Sequence, residues 1–144
     1  MPVERLDHYT IRTSDIEASR HFYTTVMGFK VGPRPPFNFP GLWLYAGEPA
    51  AGSNGVVHII GVDSTDREGV EDSLDDEEPA SQSGTGSVDH IAFAATGLAD
   101  MRRRCEKLAV ATRERTVPAL GLHQLFLEDP NGVTIELNYP ASEA

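Results

Sequence analysis

Apolar and polar residues alternate near the start of the chain, from Leu6 to Arg12. Leu6, His8, Thr10 and Arg12 fall on one face and Asp7, Tyr9 and Ile11 on the other, the pattern of a half-buried strand. The period then changes. Ile16, Phe22, Tyr23, Val26 and Met27 recur at helical spacing until Gly28, and Ser14 standing three residues before Glu17 predicts a capping box with Ser14 as the cap. Two further apolar runs, Leu42–Tyr45 and Val56–Ile60, flank Ser53-Asn54-Gly55 and predict a hairpin, because Asn-Gly tolerates the positive φ of a tight turn.

The same plan is written a second time. Val88-Asp-His-Ile-Ala-Phe repeats Leu6-Asp-His-Tyr-Thr-Ile at an offset of 82 residues. Leu98, Met101, Cys105 and Leu108 then give a helical stripe, ended by a break and Pro118. Leu122–Leu127 and Val133–Asn138 flank the turn Asp129-Pro130-Asn131-Gly132. The order β, α, β, β, β in duplicate predicts an α+β fold of two βαβββ modules around a cupped mixed sheet. Module one covers 1–61 and module two 88–144, within a single domain 1–144.

Between them, residues 62–87 form a linker by composition. Nine carboxylates between Asp63 and Glu78 stand against the lone base Arg67, so this stretch carries most of the chain's formal charge of -10. It has few large apolar residues and no alternating calcium-loop spacing. The negative charge excludes a phosphate backbone as partner, so no nucleic acid is expected. No apolar run approaches the roughly 20 residues of a membrane span, and the start MPVERLDHYT lacks a signal-peptide core, so a soluble, cytoplasmic protein with a small-molecule substrate is expected. A single cysteine, Cys105, excludes an internal disulfide and lies on the apolar stripe of its helix, as a packing residue does.

Four polar groups interrupt apolar strands: His8 in LDHYTI, His58 in VVHII, His90 in VDHIAF and Glu136 in TIELNY. Burying an imidazole or carboxylate costs free energy unless a partner compensates. A lone strand histidine is more often a satisfied core or edge residue than a ligand, but four at corresponding places are not independent. Three imidazoles and one carboxylate brought to one point suit a borderline divalent ion: zinc, nickel, cobalt, iron or manganese.

The two-module plan, the L-D-H and V-D-H-I-A-F openings and the ending F-L-E-D-P-N-G-V-T-I-E-L resemble the vicinal oxygen chelate superfamily, which holds glyoxalase I, extradiol dioxygenases, methylmalonyl-CoA epimerase, and the fosfomycin- and bleomycin-resistance proteins. The resemblance implies a glyoxalase-like fold and His8, His90 and Glu136 as metal ligands. It also places His58 at the fourth-ligand position, where glyoxalase I-like enzymes usually carry Glu or Gln; aligning it with Glu136 takes a one-residue shift after Asn-Gly, which in a strand reverses the face. It further implies a homodimer, since relatives commonly pair and the modules present sheet edges.

A metal-dependent lyase or isomerase acting on vicinal oxygens, with Glu136 as the base, is the leading expectation. Ring-cleaving extradiol dioxygenase chemistry stands beside it, on the two-His, one-carboxylate set, although Phe126 occupies the place of that subfamily's acid-base tyrosine. A drug-binding resistance protein without chemistry is the third reading. Alternation and the family comparison point Gln124 and Phe126 into the substrate pocket and His123 away from it, as a structural residue. Arg12, on the face of His8, is a candidate anchor for an acidic substrate group. The loop Gly32–Gly41, with Phe37, Phe39 and the following Trp43 and Tyr45, offers flat apolar walls, Trp43 foremost. His21, on the exposed side of its helix pattern, carries no functional expectation.

Overall fold

The computed structural model describes residues 5–49, 55–62, 84–86 and 88–144. It divides the chain into two compact units, Met1–Gln82 and Ser83–Ala144. The acidic stretch and the Ser53-Asn54 half of the first predicted turn lie outside the described residues.

In the first unit, β1 (Tyr9–Thr13) leads into α1 (Ile16–His21), then β2 (Lys30–Gly32), β3 (Gly41–Tyr45) and β4 (Val57–Gly61). The sheet order is β1-β4-β3-β2: β1 and β4 run parallel and the other pairs antiparallel. Alternation sorts the two faces. Ile11, Leu44, Val57 and Ile59 pack with Phe22, Tyr23 and Val26 from the helical segment, while His8, Thr10, Arg12, Trp43 and His58 belong to the opposite face.

The helix cap differs from the expectation. Asp15, not Ser14, is the N-cap: its Oδ1 accepts the Ala18 N–H at 2.9 Å, because a carboxylate at this place also faces the positive end of the helix. After His21 the backbone widens into a π-helical turn over Phe22–Val26, with Met27 N–H reaching Phe22 O at 3.0 Å, and Gly28 at φ 77 ends it.

The second unit repeats the scheme with β5 (Ile91–Ala94), α2 (Leu98–Lys107), β6 (Arg113–Val117), β7 (Leu122–Glu128) and β8 (Thr134–Pro140), in the order β5-β8-β7-β6. Leu98, Met101 and Cys105 of α2 are buried with Leu125, Leu127, Ile135, Leu137 and Tyr139. Burial pushes the Cys105 thiol up, which fits a packing role. The predicted turn forms around Asp129, whose Oδ1 accepts the N–H groups of Asn131 and Val133, both at 2.8 Å, while Gly132 supplies φ 82.

The registers settle how the halves correspond. His58 pairs with Thr10, and Glu136 pairs with Ala92; Thr10 and Ala92 are repeat equivalents at the offset of 82. His58 and Glu136 therefore occupy the same place in their sheets, and no face is reversed. Asn-Gly misleads as an anchor because the connection before β4 spans residues 46–56 whereas that before β8 spans only 129–133. The structure is α+β, with the expected βαβββ order in each unit. Among the described residues no helix is long and apolar enough to cross a membrane.

Candidate functional site

In the first unit, the extended chain before β1 sets Asp7 beside His8, and the His8 Nδ1–H donates to Asp7 Oδ2 at 2.7 Å. That bond assigns a proton to Nδ1, the arrangement by which a carboxylate orients a metal-binding imidazole. Parallel pairing of β1 with β4 brings His58 against His8, with ring centroids 3.8 Å apart and planes inclined by 16°. Trp43, directly opposite His58 on β3, stacks on it at 3.9 Å and 4°. Trp43 is thus the back wall of an imidazole stack.

His58 is buried, and burial first and the charge of His8 second push its pKa down to about 4; a hydrogen bond to the Gly55 backbone works weakly the other way. It is neutral at pH 7. Its Nε2 is buried without a hydrogen-bond partner. An orphaned acceptor in a neutral imidazole fits a cation ligand. Rings so nearly parallel confine their in-plane lone pairs to two separate planes, so joint ligation of one ion by His8 and His58 requires one ring to tilt. Arg12 lies on the same face, half-buried.

The second unit reproduces the first element of this arrangement: the His90 Nδ1–H donates to Asp89 Oδ2 at 2.8 Å. Where the first unit has His58, the second has Glu136, and His90 Nε2 lies 3.0 Å from Glu136 Oε2. Two atoms that both carry lone pairs approach this closely only with a cation between them, a proton or a metal. Donors about 2.0–2.2 Å from a common ion stand roughly 2.9–3.5 Å from each other, so the pair fits adjacent ligands.

Glu136 is buried, and its other oxygen is held as well. Gln124 Nε2 donates to Glu136 Oε1 at 2.7 Å and to Asn138 Oδ1 at 3.0 Å, while Arg115 Nε–H donates to Gln124 Oε1 at 2.6 Å. The arginine fixes which way the amide faces. Gln124, expected as a pocket wall, is thus engaged in holding Glu136. Phe126 meets His90 edge-on at 6.4 Å, and the guanidinium carbons of Arg113 and Arg115 lie 5.0 and 5.5 Å from its ring centroid. His123 faces away from this group: Glu114 Oε1 lies 2.7 Å from its Nε2 and Thr116 Oγ1 2.8 Å from its Nδ1. It serves structure.

The donors expected from the sequence thus come as two pairs, His8 with His58 and His90 with Glu136. Among the described residues no three His, Cys, Asp or Glu side chains gather as a ready-made ion cluster. The pair Phe37 and Phe39 is occupied internally, stacked at 5.0 Å with Arg34 over both rings at 5.1 Å. A cavity of about 520 Å³ in the first unit, lined by Thr13, Ser14, Asp15 and Pro40 among others, contains none of the four donors. Sequence reasoning passed over Asp7, Asp89, Arg113 and Arg115; the repeated Asp-His dipeptide was the signal for the first two.

Comparison with known proteins identifies the family and the fold. The family model of the Glyoxalase/Bleomycin resistance protein/Dioxygenase superfamily matches residues 5–137. "Glyoxylase I 4" of Arabidopsis thaliana is 23% identical over 136 residues, covering 92% of this chain and 68% of its own. Lactoylglutathione lyase from Agrobacterium tumefaciens superposes with a TM-score of 0.62 at 18% identity, covering 96% of both chains. A variant of the fosfomycin resistance protein FosX from Listeria monocytogenes, complexed with Mn(II) and 1S,2S-dihydroxypropylphosphonic acid, superposes at 0.65 with 15% identity, covering 99% of this chain and 96% of that one. At such identities the superpositions establish the fold alone.

Proposed function

Because the chain belongs to the glyoxalase/bleomycin resistance protein/dioxygenase superfamily, we propose that it is a divalent-metal-dependent enzyme of the lyase or isomerase kind, acting on a small substrate that presents two neighbouring oxygens. His8, His90 and Glu136 are the proposed donors, with His58 as the fourth. The observation that carries the reading is the twice-repeated Asp–His pair, each with Nδ1 bound to its carboxylate, one of them with Nε2 against a buried glutamate. When bound, the ion supplies Lewis acidity, polarising the substrate oxygens and stabilising negative charge as it develops.

The chain's own groups do the rest. Asp7 and Asp89 keep the two imidazoles in the tautomer that offers Nε2. Glu136 is the proposed base: Oε2 would take a proton from a carbon beside the substrate's paired oxygens and return it to the neighbouring carbon, while Gln124 keeps hold of Oε1 so that the carboxylate stays in place between the two transfers. His58, neutral at pH 7, cannot serve as a second carboxylate base. Phe126 has no hydroxyl, so the acid-base step of ring cleavage has no donor at that position, which favours proton transfer over dioxygenase chemistry.

The test is metal binding followed by turnover. Protein stripped with a chelator and titrated with zinc, nickel, cobalt, manganese and anaerobic iron(II) is expected to bind one ion per chain. His8→Ala, His90→Ala and Glu136→Gln are each expected to weaken binding by about a hundredfold or more. Glu136→Gln is expected to abolish turnover while folding changes little. A protein that takes up no divalent ion refutes the proposal; oxygen uptake by the iron form with a catechol panel replaces it with ring cleavage.

A further inference from the structure

Strand β6 reads Arg-Glu-Arg, and alternation divides the three residues between two tasks. Glu114 faces the side where Arg102 and His123 bind it. Arg113 and Arg115 point to the opposite face, opposite Phe126 and Gln124 on β7. Phe126 lies under both guanidiniums, and Gln124 ties the Nε of Arg115 to the same amide that holds Glu136.

These two cations also lack a carboxylate partner among the described residues. Arg20, Arg102 and Arg103 each pair with a carboxylate, Glu17, Glu114 and Asp100. Among the described residues neither Arg113 nor Arg115 has one, although the chain carries a formal charge of -10. Two like charges two positions apart on one strand face repel each other, and an anion set between them removes that repulsion. The ring and the Gln124 amide already hold the guanidiniums in place, so little side-chain freedom is lost when an oxyanion binds. Each planar fork matches two oxygens of a carboxylate or of a phosphorus oxyanion.

We infer that Arg113 and Arg115 form an anion subsite that takes the carboxylate or phosphorus oxyanion of a small organic molecule. Its part as the anchor of the enzyme's substrate rests on the functional reading above; its binding of an anion does not. The subsite narrows the substrate class to molecules that carry an anionic group in addition to the paired oxygens. It also assigns specificity to an edge strand, where charged residues in addition keep the edge from pairing with another chain.

The experiment uses the full chain without metal. The Nε–H resonances of arginine are followed by NMR during titration with inorganic phosphate, and separately with acetate, at constant ionic strength set by chloride. Saturable shifts of the Arg113 and Arg115 signals are expected. Arg113→Gln and Arg115→Gln should each weaken binding about tenfold or more, and Arg103→Gln should leave it unchanged. Tighter phosphate identifies a phosphorus oxyanion as the natural group and tighter acetate a carboxylate; either outcome supports the subsite. Should Arg115→Gln fail to fold for want of its bond to Gln124, Arg113→Gln, whose guanidinium rests only on the ring, carries the test. Absence of saturable shifts with both anions, or shifts that survive both substitutions, overturns the inference. A parallel metal titration separates the two claims: anion binding in a chain that binds no ion supports the subsite and removes the enzyme, and metal binding without anion binding does the reverse.

Discussion

Gln124→Ala isolates what the buried amide does for Glu136. The substitution removes donors at 2.7 and 3.0 Å from Glu136 Oε1 and Asn138 Oδ1 and an acceptor 2.6 Å from Arg115 Nε. Glu136 is 5% exposed, so water cannot readily replace the lost donor. A hydrogen bond to a buried charged group is worth about 1.5–3 kcal/mol, which for a chain of this size lowers the melting temperature by roughly 5–10 °C. Metal affinity should fall by about 10–100-fold, because the carboxylate is no longer fixed by its outer partner. Competition against a chromophoric chelator measures the affinity, and thermal unfolding of the metal-free protein measures the stability. Unaltered affinity alongside lowered stability would show that Gln124 only fills space, and the argument that it positions a ligand would be refuted.

Acid should destabilise the metal-free protein through His58. Its folded pKa, about 4, lies below the ordinary value of 6.5, so the unfolded chain takes the proton first. Stability is complete above pH 6.5 and declines as pH falls toward 4, by on the order of 3 kcal/mol, and urea unfolding of wild type and His58→Gln should differ in slope over that window. Glu114 is depressed chiefly by its hydrogen bonds from Arg102, so its contribution is present above pH 4.5 and is lost as pH falls below it; Arg102→Ala should flatten this lower part of the curve. Gly41→Ala should destabilise more than Gly61→Ala, since the added carbon meets the Ile59 carbonyl at the first site and the flexible end of Ile16 at the second. Equal melting temperatures for the two glycine variants would contradict that ranking.

The elements legible in the sequence are those whose two faces meet different surroundings. β1, β4, β7 and β8 carry buried apolar residues, β5 alternates half-buried Ile91 and Phe93 with exposed alanines, and α2 carries Leu98, Met101 and Cys105 on one stripe, so their periods show. β2 spans only Lys30–Gly32, with its first two residues exposed, and β6 has four exposed polar residues followed by Val117, so neither has an apolar period to read. The anion subsite is hidden for the same reason: an arginine on an edge strand looks like solvent decoration until the ring beneath it is known. His58 and Glu136 were found as polar interruptions of apolar strands, but their equivalence depends on strand register, which connections of unequal length conceal. Ser14 and Asp15 are both good caps, and only the bond to Ala18 decides between them.

The parallel pairing of first and last strands has a consequence for how the donors are assembled during synthesis. In each unit, among the described residues, the opening strand pairs with the closing one alone, β1 with β4 and β5 with β8. His8 and His58 are 50 residues apart along the chain, and His90 and Glu136 are 46 apart. Such distant partners meet late, after the local antiparallel hairpins have reduced the search. A nascent chain on the ribosome therefore carries its first imidazole unpaired through most of a module's emergence, and each proposed donor pair is completed only in a finished module.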